Sequence, residues 1–479
     1  MSRINTNVTS LVAQRVLKKN NDSLNTSLER LSTGLRINKG SDNPAGLIAS
    51  EILRGEKAGI QTAIDNAGRA SNIIGTAEGG LTEVSSLLTE LQGLVNQTAN
   101  SAGLSNEEKS ANQLQVDSIL GTINRISGST SFEGKKLLDG GFDYSTSGAA
   151  TSAFGSIQVN SAQLPSGATQ NVTVTVTNSA TQGKLNFAAA GLGASGTTLE
   201  ISGSLGTQQI SFAASASASD IADAINAYTS VTGVSASAAA SGVTFKADQF
   251  GSDNFVSVRS VAGAAFSVTG GTNGKASGTD AAVTVNGAAA TVKGLDVTFR
   301  TSALDVEFQL TSNGFNGATA NGLNNGGTKT FGITGGGASF SLGSKVSENG
   351  KANIGIKSVS TSSLGNGVVG YLNSLGSGGA NSLNSTDLSG AQKIIDAATK
   401  QVTQLRGRLG AFQKYTIGST VNALGVALEN AAAADSAIRD TDFAAETASL
   451  TRSQILSQSA TQILSQANSS PQAALSLLR

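Results

Sequence analysis

None of the 479 residues is a histidine or a cysteine, and that removes most of the chemistry a sequence can announce. Without imidazole or thiol there is no Ser-His-Asp or Cys-His nucleophile, no imidazole general base and almost no route to a zinc site. Disulfides are excluded too, so cysteine usage says nothing of redox compartment. What remains is carboxylates and glycines. Two carboxylates can hydrolyse a glycosidic bond, and Asp296, Asp305 and Glu307 are near one another in sequence. They alternate with apolar residues, however, which puts them on the wet face of strands and predicts a solvated edge. Asp435, Asp440 and Asp442 lack the glycine and terminal glutamate spacing of a calcium loop; they read as capping or preceding the last helix. Gly191, Gly193 and Gly196 satisfy G-x-G-x-x-G, but the residues that follow, Thr197 to Ile201, read as a strand where a phosphate cradle needs a helix N-terminus. With 58 glycines in the chain a chance match of this kind is expected, and a loop is the reading.

Composition narrows the field further. Charged residues make up 13% of the chain, about half the roughly 25% usual in soluble domains, so neutral polar groups must do most of the wetting. Lys plus Arg and Asp plus Glu both number 32, which leaves no net field for nucleic acid or an anionic membrane. Trp is absent and Tyr numbers four, few platforms for stacking bases or sugars. Arg3, Arg15, Lys18 and Lys19 are scattered through the first 20 residues without the apolar run of a secretory signal. No window offers about 20 predominantly apolar residues, the length of a membrane span. A cytoplasmic protein, or one leaving the cell by a route that reads no such signal, is expected.

The elements that position these residues fall into three zones. Residues 1–140 and 380–479 carry helical periodicity, and 141–379 is rich in Gly, Ser, Thr and β-type runs. Tracts at Gly140–Ser152, Asn321–Gly337 and Gly376–Ser382 mark the seams. Leu17, Leu24, Leu28, Leu31 and Leu35 follow the spacing of an a/d stripe. Ile74, Ala77, Leu81, Val84, Leu88, Leu91 and Val95 alternate steps of three and four without a miss. Ser105 and Glu108 form a capping box ahead of a third helix with Val116, Ile119, Ile123 and Ile126, closed by Gly128. Toward the other end Ala398, Val402, Leu405, Leu409 and Phe412 repeat the alternation, and a last helix carries Ile455, Leu456, Ala460, Ile463 and Ala467. Such stripes suit either coiled coils or ordinary amphipathic core helices. A seam leucine is worth roughly 1.5–3 kcal/mol on burial, so either terminus alone would be marginal and should be mobile until covered.

In the middle, Val172, Val174 and Val176 alternate with threonines, the pattern of a half-buried strand. Val283 and Val285 lead into Asn286-Gly287, a strong hairpin signal, and Val297/Phe299 and Val306/Phe308/Leu310 continue the alternation. Ser219 and Asp220 can cap a short helix with Ile221, Ile225 and Tyr228 on one face.

With the helices placed, both ends resemble bacterial flagellin. At the amino end Ile4-Asn5-Thr6-Asn7 is followed by LERLSTGLRIN from Leu28, SDNPAGLIAS from Ser41 and TAEGGL from Thr76; at the carboxyl end stand RLGAFQ from Arg408, IRDTDFAAETASLTRSQIL from Ile438 and SQANSSPQAALSLLR from Ser465. The stretch from Leu199 to Val261 is similar to the β-β-α-β-β insert of flagellins and hook proteins. The resemblance implies an α+β fold with a discontinuous α-helical coiled-coil core built from both termini and a β-rich outer domain inserted in the middle. It divides the chain into terminal helices at 1–42 and 438–479, a helical-bundle domain with β-hairpin elements at 43–177 and 331–437, and an outer domain at 178–330. It implies a filament subunit for swimming motility with no enzyme activity and no cofactor, exported by the flagellar type III apparatus to an extracellular filament.

Its partners would be further copies in a helical homopolymer, an export chaperone on the C-terminal helix (Ile438–Arg479), and filament cap and hook–filament junction proteins, with no nucleic acid and no membrane. The assembly residues expected are the seam positions above: Leu17, Leu24, Leu28, Leu31, Leu35, Ile74, Leu81, Val84, Leu88, Leu91, Val402, Leu405, Leu409, Phe412, Ile455, Leu456 and Ile463. Flagellins detected by Toll-like receptor five carry arginine and glutamate where Glu90 and Gln115 stand here, although Leu94 matches, so weak recognition is expected. Two alternatives accompany this reading: a hook-associated junction protein, and a flagellin with an adhesive outer domain. A metalloprotease insert is excluded, since H-E-x-x-H needs histidine.

Overall fold

The structure is a computed structural model that describes residues 6–100, 103–164, 168–189, 191–240, 242–263, 265–311, 326–367, 369–385 and 388–476, with side chains to residue 470. Ile4, Asn5, residues 321–325 of one expected seam and the side chains of the final matching run beyond 470 lie outside the described residues. Eight α-helices are described: α1 (Val8–Thr33), α2 (Pro44–Ala99), α3 (Asn106–Ser129), α4 (Ala218–Asn226), α5 (Thr229–Thr232), α6 (Ser389–Ala411), α7 (Gly418–Arg439) and α8 (Phe443–Ser476). Among the described residues no helix is long and apolar enough to cross a membrane. The chain divides into two compact units: Met1–Gly68, Ser341–Gly350 and Ile417–Arg479 form one, and Arg69–Phe340 with Lys351–Thr416 the other.

In the first unit α1 runs antiparallel to α8. Asn7 caps α1 by accepting from the backbone N–H of Ser10, and Gly34 ends it in the left-handed conformation, φ 72°, as a C-terminal glycine does. Asp442 caps α8, accepting from the N–H groups of Ala444 and Ala445 at 2.9 and 3.1 Å. Asp440 bridges Leu35 across the two turn segments, and the Thr441 N–H donates to the Gly34 carbonyl at 3.0 Å. The start of α2 pairs with α7.

The second unit holds α3, α6 and the rest of α2 around an apolar seam. The capping box of α3 forms as expected, with Ser105 accepting from the Glu108 N–H and the Glu108 carboxylate accepting from the Ser105 N–H. Gly128 does not close this helix; it continues to Ser129, and Thr130 is its C-cap. Ile74, Ala77, Leu81, Val84, Leu88 and Leu91 are fully buried, and so are Ala398 and Leu409. Gln113, 2% exposed, ties the bundle to its loop: its amide donates to the Leu375 carbonyl at 2.9 Å and its oxygen accepts from the Leu383 N–H at 2.7 Å.

The same unit carries two β modules with separate cores. In the first, the strands Tyr144–Ser147, Gln170–Asn178, Ala282–Val285, Ala288–Ala289 and Thr328–Gly336 form one sheet, and Phe154–Ala162, Thr291–Lys293, Asp296–Arg300 and Leu304–Leu310 a second. Between them sits a core with Phe154, Phe308 and Phe331 in edge-to-face contact at centroid distances of 5.5–6.3 Å, the favoured aromatic geometry. Asn286 and Gly287 turn the expected hairpin with φ of 50° and 83°, both positive as a two-residue turn demands. The second module, residues 184–277, leaves and re-enters the first between Gln170–Asn178 and Ala282–Val285. Two small sheets pack with α4, and Ile221, Ile225, Phe245 and Leu199 are its centre. Its order is strand, strand, helix, strand, strand from Thr197 to Ala247. Ser217, not Ser219, caps α4, and Tyr228 lies beyond the end of α4, exposed.

Two sequence expectations about boundaries meet this topology. The divisions at 177/178 and 330/331 fall inside the strands Gln170–Asn178 and Thr328–Gly336, which pair with each other. The Gly-rich tract at Gly140–Ser152 is no linker either, since Tyr144–Ser147 is an edge strand of the same sheet.

Candidate assembly surface

Helix α1 faces α8 through Ser10, Ala13, Leu17, Asn20, Leu24, Ser27 and Leu31, all buried or half-buried and spaced by alternating steps of three and four. The opposing stripe on α8 is Glu446, Leu450, Ser453, Ser457, Ala460, Leu464 and Ala467, with the same alternation. This is a heptad seam in which leucines (Leu17, Leu24, Leu31, Leu450 and Leu464) are interleaved with serines and alanines. Hydrogen bonds set its register: Asn7 Nδ2 to the Ala467 carbonyl at 2.8 Å, Ser10 Oγ to Asn468 Oδ1 at 2.7 Å, and Ser457 Oγ to Asn21 Oδ1 at 2.7 Å. Arg30 and Glu446 add an ion pair at 3.6 Å.

A second set of large aliphatic residues points away from the seam. Val8, Leu11, Val12, Val16 and Leu28 on α1 and Ile455, Leu456 and Ile463 on α8 are exposed, Ile463 at 62%. Of the residues expected to form the seams, Leu17, Leu24 and Leu31 sit on it. Leu28 does not, because Ser27 takes the inward position and Leu28 is left 48% exposed. Leu35 lies past the Gly34 cap, outside α1. Leu456 and Ile463 share one side of α8, a heptad apart, but not the side that meets α1. Ile74, Leu81, Val84, Leu88, Leu91, Val402, Leu405 and Leu409 are core positions. Phe412 is half-buried in a π-helical turn, Phe412–Ile417, that spacing gave no sign of; its ring is 6.0 Å from Phe340.

Polar anchors support the α2–α7 contact. Ser50 Oγ donates to Asp435 Oδ1 at 2.7 Å and Lys57 Nζ lies 3.3 Å from Asp435 Oδ2. The Ser50 bond, then Lys57 and Arg439, hold the Asp435 carboxyl below its ordinary value against the opposing effect of burial. Sequence reading had placed Asp435 among capping residues; its partners on α2 were not visible in the chain order. The carboxylates considered for catalysis do not converge: Arg300 lies 2.7 Å from Glu307 and 3.6 Å from Asp305, while Asp296 accepts from Gln309 at 3.0 Å.

Residues 4–143 match the family model described as the bacterial flagellin N-terminal helical region, and 392–478 match its C-terminal helical region. The B-type flagellin of Pseudomonas aeruginosa is 30% identical, with 99% of each chain covered. The chain belongs to the bacterial flagellin family. Flagellin B of Vibrio cholerae is likewise 30% identical, again over 99% of each chain. Residues 198–249 match the flagellin hook IN motif, the β-β-α-β-β stretch of the second module. Among solved structures, FliC from Burkholderia pseudomallei is 16% identical over 72% of this chain and 99% of that one, at a TM-score of 0.22, too loose an overlap to inform the fold. As a flagellin the chain is a structural subunit that polymerises into the bacterial flagellar filament, with helices from both termini and a β-rich middle.

Proposed function

We propose that this flagellin polymerises through the aliphatic faces that the α1–α8 seam leaves uncovered. The observation that carries the reading is a second apolar face on each helix: five leucines among small and polar residues fill the contact inside the chain, and Val8, Leu11, Val12, Val16, Leu28, Ile455, Leu456 and Ile463 point away from it. Covering a Val, Leu or Ile side chain stabilises by roughly 1.5–3 kcal/mol, so neighbouring copies that bury these faces gain stabilisation the intrachain seam does not supply. Head-to-tail repetition of one such contact gives an open helical polymer.

In this reading residues 1–42 and 438–479 form the inner filament core, the helical-bundle domain with β elements at 43–177 and 331–437 surrounds it, and the β-rich part centred on 178–330 lies outward. The role is structural, with no catalytic step. The subunit leaves the cell by the flagellar type III route, with an export chaperone covering the Leu456/Ile463 face of α8 until assembly. Cap and hook–filament junction proteins meet the same helices at the filament ends. Recognition by Toll-like receptor five is weak: Glu90 and Gln115 are exposed where detected flagellins carry arginine and glutamate, and Leu94 is 8% exposed, with little surface to offer a partner.

Negative-stain microscopy and sedimentation of the full-length protein under salting-out conditions, beside a chain restricted to residues 45–435, test the proposal. Long helical filaments from the full chain alone support it. Filaments from the truncated chain, or none from either with filament seeds present, overturn it.

A further inference from the structure

A cavity of about 540 Å³ opens in the larger unit between the first β module and the C-terminal end of α6. Its size is that of a small-molecule site. Arg300, Lys351 and Arg408 line it against a single carboxylate, Asp305, and Phe412 and Tyr415 supply an aromatic side.

The cations differ in how their charge is met. Arg300 is held by Glu307 at 2.7 Å and Asp305 at 3.6 Å. Arg408 has no such partner: its Nε and Nη1 are buried without a hydrogen bond, and among the described residues it alone has two guanidinium nitrogens in that state. Burial depresses its pKa, while Glu307, Asp305 and Asp143 act on it only through space. Lys357, buried behind it, is pushed down in the same way. Buried guanidinium nitrogens without acceptors are costly, and such groups in a native fold call for a water or an ion.

A second feature converges on the same place. The backbone of α6 loosens into the π turn Phe412–Ile417 where Phe412, Tyr415 and Thr416 reach the cavity, and π turns are frequent at functional sites.

We propose that this cavity binds a small organic anion, a carboxylate- or phosphate-bearing molecule whose oxyanion pairs with Arg408 and whose carbon skeleton lies along Phe412 and Tyr415. Arginine suits the task because its planar fork matches both groups.

The test is isothermal titration calorimetry on the full-length protein, kept monomeric as checked by sedimentation. Citrate and inorganic phosphate are the probes, at ionic strength held constant with chloride. Saturable citrate binding that weakens at least tenfold in Arg408→Gln, and stays within twofold in the remote surface variant Arg259→Gln, is the expected result. Binding of phosphate as well extends the site to inorganic oxyanions; citrate alone assigns it to organic acids. No saturable heat from either probe, or an unchanged affinity in Arg408→Gln, overturns the proposal. Should Arg408→Gln lose its circular dichroism signature, Lys351→Gln on the opposite wall decides: a loss of threefold or more supports the site, and no loss overturns it.

Discussion

The hydroxyl of Ser457 donates to the side-chain oxygen of Asn21 at 2.7 Å across 436 residues of chain, and next to it Asn20 donates to the Leu456 carbonyl at 3.2 Å. The first and last helices are therefore registered by polar contacts, and Leu456 lends its backbone to the seam while its side chain points elsewhere. Register and adhesion are assigned to different residues, so the two can be perturbed separately.

Substituting Ile463→Ser with Leu456→Ser should abolish filament formation while leaving the monomer intact. Both side chains are exposed in the single chain, and surface changes of this kind usually shift stability within about 0.5 kcal/mol. Sedimentation and thermal unfolding, measured on the same sample, separate the two effects; a large fall in monomer stability would refute the assignment.

Asn20→Ala with Ser457→Ala should act the other way, loosening the α1–α8 pair in the monomer. Each lost hydrogen bond costs about 0.5–1.5 kcal/mol. Amide hydrogen exchange over Val8–Thr33 should accelerate, with the second unit unaffected.

The Asp435 carboxyl predicts acid sensitivity for the α2–α7 contact. Its pKa in the folded chain is below the ordinary 3.8 because Ser50, and then Lys57, favour the charged form. Its stabilising contribution is thus complete above about pH 4 and is lost as pH falls through the folded value. Asp435→Asn should lower the unfolding midpoint at pH 7, with the difference from the wild type shrinking as pH falls below about 4, read by denaturant titration at each pH. A constant difference across that window would contradict the assignment.

Gln113→Leu should destabilise the helical bundle although it removes a polar residue from a buried site. The change strands the Leu375 carbonyl and the Leu383 N–H, at about 1–3 kcal/mol for each unsatisfied group. Chemical denaturation measures the loss, and near-neutral behaviour would mean that water replaces the amide.

How legible the fold was depended on what each stripe packs against. The α2 stripe from Ile74 to Val95 is large, aliphatic and unbroken, and all of it is buried. On α1 the same periodicity found Leu17, Leu24 and Leu31 on the seam but led outward at Leu28 and Leu35, and on α8 at Leu456 and Ile463, while Ser10, Ser27, Ser453 and Ser457 take inward positions. Periodicity reports that a stripe is apolar, not what covers it, and the serines and alanines between the seam leucines carry almost no hydropathy signal. In the middle, single strands and the Asn286-Gly287 turn were readable because their information is local. The pairing of Gln170–Asn178 with Thr328–Gly336 was not, since it joins segments about 150 residues apart whose alternation fits any neighbour. Arg408 opens the matching run RLGAFQ, but nothing in the sequence sets it apart from its neighbours there; only the fold shows two of its nitrogens left without acceptors.

The second β module enters and leaves at one point. Thr181 and Thr279 exchange backbone hydrogen bonds at 3.0 and 3.2 Å, and their hydroxyls meet at 2.8 Å, so nearly a hundred residues hang from a closed pair of threonines. Such a junction behaves as a socket. Beyond that pair, Asp253 Oδ2 meets Lys293 Nζ at 2.8 Å and Phe250 packs against the first core, so the sheet beneath asks for its two ends to be brought together and for little else from above. Lineages could lengthen, trade or discard the module without renegotiating the rest of the molecule, and a foreign domain with adjacent termini could be mounted there on every repeat of a filament.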